Sequence, residues 1–171
     1  ASNRLINEQS EVGMLLAAPG LLFTLGLAPI IVRLLYSAEF YQASTILQWM
    51  ILGIFLRVIS WPMGYFYVAR GKGITFFIIQ LAINFVHVSF VYILIKSLVI
   101  NGTGLAFMFY YIFYTIFVKL LIYKEIRFKW NNKTIKLMFI YFLIFMFSII
   151  LSSTFSPLMS GVTISIFGVL T

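Results

Sequence analysis

The chain has 171 residues, of which 63% are apolar and only 9% charged, and its mean hydropathy is +1.07. Soluble domains carry about 25% charged residues, so a chain this poor in charge cannot cover a water-facing surface, and lipid is the solvent expected for most of it. Twelve Lys and Arg stand against four Glu and no Asp, giving a net charge of +8; on loops between apolar runs that excess sets topology and meets membrane headgroups rather than nucleic acid, and the absence of Cys excludes disulfides, thiolate metal sites and thiol redox chemistry.

A helix needs roughly 20 apolar residues to cross about 30 Å of hydrocarbon. The apolar runs predict spans at about 14–36, 43–69, 74–98, 103–123, 135–153 and 157–171. A polar break, Ser37 to Gln42, separates the first two. Arg70-Gly71-Lys72-Gly73 closes the second, and Asn101-Gly102 predicts a tight turn between the third and fourth. A basic linker from Lys124 to Lys136 precedes the fifth. The last run, opened by Pro157, has fifteen residues, a rise of about 22 Å. That short run, and a start at Ala1 without Met, predict a piece of a larger protein. Barrel strands alternate apolar and polar residues, and these runs do not. The fold class is therefore all-α: a single polytopic transmembrane helical bundle of about six spans over residues 1–171.

The basic residues orient it. Arg4, Arg70, Lys72, Lys124, Arg127, Lys129, Lys133 and Lys136 fall at one set of helix ends, and only Arg33 and Lys96 near the other. Basic loops stay in the cytoplasm, so both ends of the sequence are predicted cytoplasmic. The opposite loops are a few residues long.

Arg57 is the residue most out of place. It sits halfway along the second predicted span, where a cation is expensive and snorkelling reaches neither interface. It either faces a wet cavity or bonds a partner or backbone carbonyls. Gly53, Ser60, Trp61 and Gly64 share its face at helical spacing. Gln80, Asn84 and His87 form a stripe at i, i+4 and i+7 on the third span, suited to lining a cavity or to hydrogen bonding a neighbouring helix. A lone His with no acidic neighbour is not a metal site. Tyr111, Thr115 and Lys119 form a lesser stripe on the fourth span, with Lys119 able to snorkel. Gly13, Ala17, Gly20 and Thr24 give the first span a small-residue face suited to close packing. Pro19, Pro29 and Pro62 lie inside spans and are expected to kink or loosen them. Asn101-Gly102-Thr103 and Asn132-Lys133-Thr134 match glycosylation sequons, as chance allows.

Glu8, Glu11, Glu39 and Glu125 all fall outside the predicted spans or at their edges. A membrane glycosyltransferase or phosphatase needs an acidic base or metal ligand, and Arg70-Gly71-Lys72-Gly73 is no phosphate loop. No enzymatic activity, metal or cofactor is expected.

Leu35-Tyr36-Ser37-Ala38-Glu39-Phe40, Ile46-Leu47-Gln48-Trp49-Met50, Leu52-Gly53, Arg57-Val58-Ile59-Ser60-Trp61-Pro62 and Ala69-Arg70-Gly71-Lys72 together resemble the Wzx-type polysaccharide flippases, or O-antigen translocases. These belong to the multidrug/oligosaccharidyl-lipid/polysaccharide exporter superfamily. Asn7-Glu8-Gln9 and Ala18-Pro19-Gly20 also suit the pattern. Residues 3–73 carry the resemblance, and hydropathy and loop length extend it to 130. It implies the second lobe of a two-lobe exporter in the bacterial inner membrane, partnered by membrane lipids and an N-terminal lobe of the same protein. Its substrate would be an undecaprenyl-diphosphate-linked oligosaccharide moved by alternating access for O-antigen and lipopolysaccharide biosynthesis. Of the family's site residues only Arg57 carries over by position; Gln80, Asn84 and His87 are cavity candidates from their spacing. Three alternatives stand beside this, one of them a non-transporting scaffold, against which Arg57 at mid-span argues. A drug or cation exporter of the same superfamily wants carboxylates within the spans. A membrane-bound glycan polymerase or ligase wants a large outer loop.

Overall fold

The computed structural model describes residues 2–35, 42–98 and 101–154, together with Ile164 and Gly168. The continuous stretches form five helices: α1 (Ser2–Leu35), α2 (Gln42–Ala69), α3 (Gly73–Leu98), α4 (Asn101–Ile126) and α5 (Asn132–Thr154). Each contains a stretch long and apolar enough to cross a bilayer. Among the described residues there is no strand. The chain is thus an all-α bundle with the makings of a multi-pass membrane protein, because only a helix bonds every backbone group within its own segment in lipid.

The sixth predicted span lies outside the described residues except for Ile164 and Gly168. Both are helical. Ile164 is buried in one core with Leu22 and Phe145. Gly168 approaches α1 so closely that a Cβ there would stand 3.1 Å from the Pro19 carbonyl oxygen.

The helices overrun the apolar runs. α1 begins at Ser2, not near Met14, and its 34 residues span about 51 Å. The inward stripe explains this. Asn7, Ser10, Glu11, Met14, Ala18, Leu22 and Leu25 are all buried and share one face at helical spacing. Only the chemistry of the stripe changes, from polar to apolar. α1 and α2 run on as helix through Pro19, Pro29 and Pro62, so none of the three prolines ends its helix. Asn101-Gly102 is not the predicted turn. It forms the start of α4, and Gly102 is needed for approach, since a Cβ there would collide with the Leu94 carbonyl of α3.

α2 is the central helix, in contact with the other four; α1 also meets α5, and α3 packs on α4. α3 is the outermost helix, with Ile74, Phe77 and Phe85 exposed. The α2–α4 seam is closed by glycines. A Cβ on Gly53 would meet Phe107 at 2.5 Å, one on Gly64 the Tyr114 hydroxyl at 2.6 Å, and one on Gly104 the Ile46 carbonyl oxygen at 2.6 Å. Without a hydrophobic drive between helices in lipid, such close approach supplies the packing. The small face expected on α1 is different: a Cβ on Gly13 would stand 3.1 Å from the Val58 side chain, but one on Gly20 would meet nothing and Thr24 is exposed. The packed face is the neighbouring Met14–Ala18–Leu22–Leu25 stripe.

The basic segments converge at one end of the bundle. α2 ends in a Schellman motif: the Lys72 N–H donates to the Tyr67 carbonyl and the Gly71 N–H to that of Val68, both at 2.9 Å, with Gly71 at φ +72°. Lys72 Nζ then donates to Glu125 at 2.9 and 3.0 Å, tying this turn to the end of α4. Asn131 caps α5 by accepting from the Thr134 N–H at 2.6 Å. The same loop docks on the polar end of α1. Asn7 Nδ2 donates to the Lys129 carbonyl at 3.2 Å, and Asn7 Oδ1 accepts from the Asn131 N–H at 2.9 Å. Glu11 accepts from Asn131 Nδ2 at 3.0 Å and from the Thr134 hydroxyl at 2.7 Å, and pairs with Lys133 at 2.7 Å.

Candidate functional site

Arg57 lies twelve residues before the end of α2 at Ala69 and fifteen after its start at Gln42, or about 18 and 22 Å along the axis. Its side chain is exposed. Among the described residues no carboxylate pairs with it; the ion pairs are Arg4–Glu8, Arg70–Glu125, Lys72–Glu125 and Lys133–Glu11. Its guanidinium stands 5.7 Å from the centroid of Trp61, one turn on, and Trp61 in turn lies 5.7 Å from Tyr65. Both rings are about half exposed. An arginine and two aromatic faces therefore run in a row along one open side of α2.

Beneath Arg57 is a cavity of about 70 Å³ lined by Ser60, Trp61, Gln80, Tyr110, Tyr111 and Tyr114 as well as Arg57 itself. It has room for about two waters at roughly 30 Å³ each. The Ser60 hydroxyl is spent on the Arg57 backbone carbonyl at 3.1 Å. Gln80 Oε1 is buried and accepts no hydrogen bond from the protein. Such a group costs about 1–3 kcal/mol, and it faces the same small cavity as Arg57. The site thus offers a fixed cation, an amide and three phenol groups in a small space. Beyond Trp61 an open groove of about 640 Å³ continues between α1 and α2, past Gln9, Gly13, Pro62 and Tyr65.

The predicted stripe on α3 divides. Gln80 joins Arg57 at the cavity. His87 packs on α4 instead, its ring 4.4 Å from Tyr110 and edge-on to Phe107 at 6.2 Å. Asn84 is exposed: at 100° per residue it is turned about 40° past Gln80, away from buried Ile83. The glycines on the Arg57 face do not widen the site, because Phe107 and Tyr114 fill the space they leave. Of the α4 stripe, Tyr111 reaches the Arg57 cavity, while Thr115 and Lys119 line a separate groove with α2 and α5. Tyr110 and Tyr114 were not anticipated. The run Phe109-Tyr110-Tyr111-Ile112-Phe113-Tyr114 signals them only once α4 is known to face Arg57. Among the described residues no group of three or more His, Cys, Asp or Glu could hold a metal ion. No family model, curated protein or solved structure matches the chain.

Proposed function

We propose that the chain is one lobe of a flippase that carries a polyprenyl-diphosphate-linked oligosaccharide across the bacterial inner membrane for surface polysaccharide such as O-antigen. The observation that carries this reading is Arg57: a cation at mid-span, exposed and, among the described residues, without a carboxylate partner. Facing lipid it would cost from about 2.5 to more than 10 kcal/mol. The surface around it is therefore read as the wall of a polar cavity, closed by a facing lobe of the same protein. A diphosphate is the ligand chemistry that fits. A guanidinium fork binds two phosphate oxygens at once and keeps its charge where an ammonium can lose it. Gln80 and the tyrosines supply neutral polar partners beside it, and Trp61 and Tyr65 offer amphipathic ring faces to whatever is attached. The basic end of the bundle lies in the cytoplasm on this reading.

The test is export of glycan in cells that depend on this protein, at matched membrane abundance. Arg57→Ala is expected to lower export about tenfold to a hundredfold, the effect of losing one charge-assisted hydrogen bond of about 1.5–3 kcal/mol. Arg57→Lys is expected to keep part of it, with charge but no fork. Wild-type export by an abundant Arg57→Ala protein would show that Arg57 is structural and the reading wrong.

A further inference from the structure

We propose that the groove between α2, α4 and α5 is a binding site for an acidic phospholipid, whose phosphate sits on Lys119 and whose acyl chain lies along the groove floor. The groove holds about 500 Å³ and is lined by apolar side chains, among them Phe55, Ile59, Met138 and Phe142. Two lining residues have polar side chains besides the Trp130 indole. The Thr115 hydroxyl is already donated to the Tyr111 carbonyl at 2.7 Å. Lys119 is exposed, and it is the one charged residue of the lining.

Lys119 has no counter-ion within the described chain. Glu8 is held by Arg4, Glu11 by Lys133, and Glu125 by Lys72 and Arg70. A lysine inside a spanning helix, on an otherwise apolar wall, therefore calls for an anion from outside. Its depth says which kind. Lys119 lies seven residues before the end of α4 at Ile126, about 10 Å below it, and its long stem lifts the ammonium toward headgroup level. Trp130, in the α4–α5 linker, closes the same end of the groove, and indoles favour this interfacial depth. The site is thus a cation and an indole at headgroup level above an apolar trough, the outline of one phospholipid. The headgroup is acidic because a zwitterionic one brings an ammonium to compete with Lys119, the one charged side chain of the lining.

This lipid is not the cargo proposed for Arg57. Phe55 and Ile59 lie about 160° around α2 from Arg57, at 100° per residue. The two sites occupy opposite sides of the helix, and the lipid site stands whether or not Arg57 binds a diphosphate.

The chain has three tryptophans, so Trp49→Phe with Trp61→Phe leaves Trp130 as the sole reporter. This protein is placed in phosphatidylcholine vesicles in which a fixed fraction of lipid is replaced by brominated phosphatidylglycerol or by brominated phosphatidylcholine. Bromine on the chain quenches Trp130 when that lipid fills the groove. The expected relative binding constant favours phosphatidylglycerol about fivefold, the worth of one lysine at an anionic surface. Lys119→Met should bring the ratio to about one, Lys119→Arg should keep it, and Lys124→Gln should leave it nearly unchanged. Lys119→Gln serves in the same role where Lys119→Met does not insert. A ratio of one in the parent, or a ratio that survives Lys119→Met, overturns the site. So does an equal loss in Lys124→Gln and Lys119→Met, which is diffuse attraction by the basic end. Displacement of brominated phosphatidylglycerol by an equal fraction of polyprenyl phosphate would give the groove to the cargo's tail and overturn the assignment as well.

Discussion

Asn7 Oδ1 accepts a hydrogen bond of 2.9 Å from the backbone N–H of Asn131, the residue that caps α5. One buried amide on α1 thereby fixes the start of a helix 124 positions later in the chain. Its Nδ2 is used as well, on the Asn3 and Lys129 carbonyls at 2.8 and 3.2 Å. Both ends of the amide are occupied, so no smaller side chain can replace it.

Asn7→Ala should therefore destabilise the bundle by about 1–3 kcal/mol, the penalty for stranding buried partners. Glu11→Ala belongs to the same class, since its carboxylate is 7% exposed and serves Asn131, Lys133 and Thr134. Glu125→Gln should cost under about 1 kcal/mol, because its pairs with Lys72 and Arg70 are solvent-exposed. Thermal unfolding in detergent orders the three variants. Equal losses from Glu125→Gln and Asn7→Ala would mean that burial does not set the strength of this junction.

Gly64 and Tyr114 form a second pair open to test. A Cβ at Gly64 would lie 2.6 Å from the Tyr114 hydroxyl oxygen, and Tyr114 is 6% exposed, with little room to yield. Gly64→Ala should cost about 1–3 kcal/mol by overpacking. Adding Tyr114→Phe removes the colliding atom and should recover most of that loss. A double mutant whose loss is the simple sum of the two singles would show that they do not touch.

Gln80 and His87 should separate stability from transport. Gln80→Met replaces an unsatisfied buried acceptor with an apolar side chain of similar size, so the fold should be unchanged or slightly firmer, while glycan export falls severalfold. His87→Ala removes the ring packed at a tilt on Tyr110 and should lower stability, with export per molecule retained. If Gln80→Met exports at the wild-type rate, the cavity under Arg57 is a packing defect and not a binding surface.

The chain has no cysteine, so single-cysteine labelling has no background. Cysteine at Asn132 should react only with reagent given access to the cytoplasmic side, and cysteine at Asn101 only from the opposite side. The reverse pattern rejects the orientation read from the basic loops.

Composition and run length by themselves determined that the chain is an all-helical bundle and roughly where each helix crosses. That information is local: each backbone group in lipid is satisfied within its own segment, so the apolar run contains its own structural answer. The gathering of the basic segments at one end was legible for the same reason. Helix ends were not. Ser2 to Gly13 fell outside the first predicted span because Asn7, Ser10 and Glu11 interrupt the apolar run, yet they continue the buried stripe of α1 and face the α5 cap. Arg57 announced itself as a cation at mid-span, but its surroundings did not. Tyr110 and Tyr114 come from α4 and Gln80 from α3, and which face each helix turns to α2 depends on rotation about axes with little amphipathic pattern. In lipid an outward residue and an inward one are equally apolar, so sequence periodicity loses its contrast. Tertiary packing, through Gly53, Gly64 and Gly104 on the α2–α4 seam and Gly102 against Leu94 of α3, decided that rotation. It put Gln80 against Arg57, sent His87 to Tyr110, left Asn84 outside, and placed Lys119 in a groove on the other side of α2.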